Sequence, residues 1–94
     1  MYLHLGDELA VSTRDLVGIF DIDAVTVGVA GREYLQKAEK AGRLTSAGEN
    51  LPKSFIVCSS GGEDSVYLSP ISAATLFKRL SRGLSSVEDI NSEV

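Results

Sequence analysis

Apolar residues in the first 23 positions come in short bursts broken by turn-forming residues. Residues 2–5, 8–12 and 16–22 each read as a strand, separated by Gly6-Asp7 and by Ser12-Thr13-Arg14-Asp15. Connections of two to four residues predict a β-meander. The period then changes. Val27, Tyr34, Leu35, Ala38 and Ala41 recur close to every 3.6 residues and predict a helix over 28–41. Thr26 is placed to cap its start and Gly42 to end it as the C′ residue. Glu33 with Lys37 and Glu39 with Arg43 form i,i+4 pairs in the favourable order.

Residues 44–52 are polar and predict a loop. Residues 53–59 are the clearest strand, with a glycine-bearing turn over 60–64 and a partner strand over 65–69. Ser72 precedes a second helix over 73–82, with Ala73, Leu76, Phe77 and Leu80 on its apolar face. Residues 84–94 show no convincing apolar face and predict a flexible acidic tail behind one domain over 1–83. The predicted class is α+β: a small antiparallel sheet, order βββ-α-ββ-α, carrying two helices. Residues 16–22 and 55–58 are apolar at most positions rather than alternating, so both faces of those strands need cover. Two short helices are scant cover, which predicts self-association into a homo-oligomer larger than a dimer.

Composition narrows the class without naming a chemistry. The 94 residues suffice for one core, and 44% hydrophobic with 23% charged residues is ordinary for a globular domain. Apolar runs fall far short of the roughly 18 residues that span a bilayer, so no membrane partner is expected. The opening residues are strand-like and lack the basic and apolar regions of a secretory signal. Cys58 is the lone cysteine, which excludes an intrachain disulfide and fits a reducing, cytoplasmic setting.

The net charge of −4 is unevenly spread. Residues 1–29 hold one base and five acids, residues 30–58 five bases and three acids, and residues 84–94 three acids and no base. An acidic total leaves room for one positive face.

No catalytic set stands out, and no cofactor or metal is expected. His4 alternates with Leu3 and Leu5 and reads as a surface histidine; with Cys58 it makes no ordinary zinc set. Asp21 and Asp23 could hold a cation or move a proton, but no third carboxylate or partner base follows at a useful spacing, and a solvated strand end explains them. Ser59-Ser60-Gly61-Gly62 joins strand to strand, so no helix start receives an anion there. The remaining candidate is basic. Arg32, Gln36, Lys40 and Arg43 fall on one helical stripe, with Lys37 and Lys53 nearby; such a stripe can follow phosphates. The plain alternative is a solvated helix face.

The opening block HLGDELAVSTRDLVGIFD and the later SPISAATLFKRL resemble the RemB-type branch of the RemA/RemB family of extracellular-matrix regulators of Firmicutes. The likeness runs over roughly residues 1–82. It includes Gln36-x-Ala38 with Gly42-x-Leu44, Phe55-Ile56-Val57 and Thr75-Leu76-x-x-Arg79-Leu80. It implies a small DNA-binding regulator of matrix and biofilm genes that acts as a ring-like homo-oligomer, with arginines repeated around the ring just before the strand over 53–59. At those positions this chain carries Asn50 and Leu51, and keeps Lys53. A further family arginine falls at Asp15, beside Arg14. The expected DNA-binding set is therefore Lys53, Arg14, Arg32, Lys40 and Arg43. The alternative is an oligomeric module that binds a protein and no DNA.

Overall fold

A computed structural model describes residues 1–48 and 51–92, without the side chains of 83–92. The chain opens with strands β1 (Tyr2–Gly6) and β2 (Leu9–Ser12), which pair with each other alone as an antiparallel hairpin. Strand β3 (Leu16–Asp21) leads into two helices, α1 (Ile22–Thr26) and α2 (Val29–Lys40). Strands β4 (Leu44–Ser46), β5 (Ser54–Ser60) and β6 (Glu63–Ser69) follow, and α3 (Ala73–Ser92) closes the chain. A second sheet has the order β3-β5-β6-β4, with β4 parallel to β6 and the other pairs antiparallel.

The α+β class holds, while the single antiparallel sheet of order βββ-α-ββ-α is replaced by two sheets and three helices. Two elements were missed. The stretch after residue 21 folds into α1 because the Asp21 carboxylate accepts from the amides of Asp23 and Ala24, at 2.9 and 3.2 Å, and caps it. Thr26 is not a cap for α2; its hydroxyl donates back to the carbonyl of Ile22 inside α1. Gly28 takes the N-cap position of α2 with no side-chain bond. Residues 44–46, expected in a loop, form β4. The Arg43 carbonyl accepts from the amide of Val66 at 2.9 Å and seats the strand beside β6.

Other expectations hold. Gly42 has φ +73, its amide donates to the Glu39 carbonyl, and the amide of Arg43 donates to that of Ala38. That pair of bonds is a Schellman ending. Ser72 accepts from the amide of Thr75 and starts α3. Gly61 and Gly62, both at positive φ, make the β5–β6 turn alone, tighter than the sequence suggested. Two positive φ values in a two-residue turn match the twist of the flanking strands. One expectation differs: α3, expected to end at residue 82, continues as helical backbone through Ser92 across most of the expected flexible tail, because Gly83 does not stop it; residues 93 and 94 lie outside the described ones.

The four-stranded sheet is the middle layer. On one face Ile19, Ile56 and Cys58 pack with Leu3, Leu5 and Val11 of the hairpin and Leu76 of α3. On the other, Phe55, Val57 and Val66 pack with Ala38, Tyr34 and Leu35 of α2 and Ile22 and Val25 of α1. The register of β3 on β5 slips between Leu16 and Gly18, so Val17 is an extra, bulged residue. The slip explains why β3 does not alternate simply. Leu16 and Ile19, three apart, both join the hairpin side, whereas Val17 and Phe20 both line the α2 side.

Two buried serines lock the layers. The Ser69 hydroxyl donates to the Leu5 carbonyl and accepts from the amide of Ile71, and the Ser54 hydroxyl donates to the Ile71 carbonyl at 2.7 Å.

Candidate nucleic-acid interface

Lys53 sits on well-tied backbone. Its amide donates to the Ser69 carbonyl at 2.8 Å, and its carbonyl accepts from the Ile22 amide at 3.1 Å. The entrance to β5 is thus stitched to the end of β6 and the start of α1, while the Lys53 side chain stands exposed. Leu51 beside it is 89% exposed; Asn50 lies outside the described residues.

The other bases are elsewhere. Arg43 leaves the α2 stripe because the helix ends at Lys40 and the Schellman turn swings it away. It lies half-buried with its Nη1 donating to the Asp64 carbonyl at 2.8 Å. Arg32 also has a structural bond: its Nη1 donates to the Thr26 carbonyl at 3.0 Å and braces the end of α1. Lys40 and Gln36 are exposed on α2. Arg14 is exposed in the β2–β3 turn, where the Asp15 carbonyl accepts from the amide of Ser59.

Strand register sets the separations. Arg14 and Arg43 flank the same end of the four-stranded sheet but at opposite edges, three strand spacings or about 14 Å apart. Lys53 is at the other end of β5, about 20 Å along the strand. The five candidate bases are therefore not gathered on one patch of a subunit. Acids are interleaved with them: Asp15 follows Arg14, Asp64 lies at Arg43, and Asp21 and Asp23 flank Ile22, which bonds Lys53.

The clearest concavity is apolar and was not anticipated. A groove of about 450 Å³ opens where α1 and α2 cover the sheet incompletely, lined by Val17, Phe20, Val25, Ala30, Gly31, Tyr34, Phe55, Val57 and Asp64. Phe20 and Phe55 stack in its floor with ring centroids 5.0 Å apart. Val17 is 63% exposed. The run of apolar residues in β3 was its one sequence signal, obscured by the bulge.

Cys58 is buried on the opposite face. Burial, and then the carboxylate of Asp15, push its thiol above the ordinary value of 9.0, so it is a core residue with a suppressed thiolate. Among the described residues no three His, Cys, Asp or Glu side chains gather as a metal site would need, and no helix is long and apolar enough to cross a membrane.

No family model matches the chain. Among curated proteins it is 40% identical, over 79 residues, to Extracellular matrix regulatory protein B of Bacillus subtilis (strain 168). The alignment spans 84% of this chain and 89% of that protein.

Proposed function

Since the chain belongs to the family of extracellular matrix regulatory protein B, we propose that it is a non-enzymatic, cytoplasmic regulator of matrix and biofilm genes that binds double-stranded DNA as a closed homo-oligomer larger than a dimer. The observation that supports this reading is a mismatch within the subunit. Exposed bases stand on well-tied backbone but far apart, and one sheet face is left with an open apolar groove. A lone subunit then offers single phosphate contacts of low affinity. Assembly through apolar surface repeats each base around an axis and links the contacts, which raises affinity when the repeat matches the path of the DNA.

Lys53 is the leading contact, with Arg14 next. Arg32 and Arg43 serve the fold with part of their hydrogen-bonding capacity, and Lys40 adds charge on α2. Light scattering on a size-exclusion column tests assembly: a mass above that of a dimer is expected, and a clean monomer at micromolar concentration contradicts it. The acids interleaved with the bases favour a second reading, an oligomeric module that docks a protein and no DNA. Absence of DNA binding at low salt by a confirmed oligomer selects that second reading.

A further inference from the structure

The apolar groove suits the apolar residues of the carboxyl-terminal segment, and the bases that follow its α2 wall are opposite in charge to that segment's acids. The groove is floored by Phe20, Phe55 and Val57, with Tyr34 and Ala30 of α2 as one wall. Residues 29–43, which form and follow that wall, carry four bases (Arg32, Lys37, Lys40, Arg43) and two acids (Glu33, Glu39). Three of those bases lie toward the carboxyl end of α2, where Arg43 is bonded to the main chain of Asp64 at the groove rim. Residues 84–94 hold Glu88, Asp89 and Glu93 with no base, and Leu84, Val87 and Ile90 at steps of three. The backbone there is helical through Ser92.

We propose that the groove of one subunit receives the carboxyl-terminal part of α3 from a second copy of this chain. The same subunit cannot supply it. Leu76 and Leu80 hold α3 against the hairpin side of the sheet, whereas the groove opens on the α1–α2 side, with the four strands between. A contact between two different surfaces of one chain is head-to-tail, and such contacts close into rings when the rotation permits. The acids of that segment are opposite in sign to the net charge of residues 29–43. The inference rests on the oligomer of the proposed function and names the surface that builds it.

The test uses full-length chains and light scattering, with circular dichroism to check folding. One variant is Val17→Asp, at an exposed groove residue; the other combines Leu84→Asp, Val87→Asp and Ile90→Asp. Each alone is expected to be folded and to fall to the subunit mass. Each variant retains the half of the contact that the other lacks, so an equimolar mixture is expected to recover one interface and run at twice the subunit mass. Lys37→Glu is expected to weaken assembly several-fold at low salt. An oligomeric wild type whose mass neither variant changes, or a mixture that recovers no pair, overturns the groove contact. A monomeric wild type overturns the oligomer itself, and the two failures are thereby told apart.

Discussion

Gly31 shows how one residue fixes the approach of two helices. A Cβ at this position would run into the carbonyl oxygen of Val25 and lie 2.5 Å from its Cγ1. Backbone cannot yield as a side-chain tip can, so Gly31→Ala should push α1 from α2 and destabilise the fold by about 1–3 kcal/mol. Chemical denaturation checks that figure; an unchanged midpoint would mean that the α1–α2 corner is loose. Sequence periodicity gives no sign of this constraint, because it comes from a neighbour six residues back. Asp21 is the exposed strand end that the sequence suggests, and its further role as the cap of α1 is hidden for a related reason. A carboxylate at a strand end looks solvated until the next residues turn into a helix and aim their amides at it.

Cys58 carries a pH dependence. Its thiol titrates above its ordinary value in the folded state, because burial and Asp15 disfavour the thiolate. A group whose folded value is raised stabilises the fold while it stays protonated. That contribution is complete below the unfolded thiol value and is lost as pH rises through the folded one. Stability should therefore decline more steeply for the native chain than for Cys58→Ala as pH rises past the ordinary thiol value of 9.0. Thermal melts from pH 7 to pH 10 measure it, and parallel declines would remove Cys58 as the cause.

Among the elements, the most local ones were the most legible. The β5–β6 hairpin announced itself through Gly61-Gly62, and the ends of α2 and α3 through Gly42 and Ser72. Strand β4 did not, because three residues of mixed polarity have no period to read. Its parallel pairing with β6 depends on a partner 22 positions away, with Leu44 opposite Val66. The separation into two sheets was also hidden, since the β2–β3 turn looks like any other meander turn.

The layers are held by point contacts between elements. Ser69, buried at the end of β6, joins the Leu5 carbonyl of the hairpin to the Ile71 amide ahead of α3. Ser69→Ala would leave a buried carbonyl and a part-buried amide short of partners. A loss of about 1–3 kcal/mol is expected, with hydrogen exchange accelerated first in β1 and at the start of α3. Uniform exchange across the sheet instead would show that the hairpin does not depend on this tie.

For the whole molecule, the surplus of apolar strand was legible and its geometry was not. Residues 16–22 and 55–58 needed cover on both faces, and the chain supplies more of it than two helices could, by folding the β1–β2 hairpin over one face. What stays open is the groove on the α1–α2 side. The basic stripe was legible as charge but not as a surface, because the Schellman turn removes Arg43 from it and Arg32 turns to brace α1.

In the proposed function, exposed bases repeated by assembly contact DNA. The most direct measurement is fluorescence anisotropy of a double-stranded DNA titrated with the oligomer across a series of salt concentrations, for the native chain and for Lys53→Glu. Each neutralised phosphate should add about −0.9 to the slope of log affinity against log salt. Binding is expected to be weak and steeply salt-dependent, with a shallower slope and lower affinity for Lys53→Glu at unchanged assembly mass. Binding absent at low salt, or a slope and affinity that Lys53→Glu leaves untouched, would contradict it.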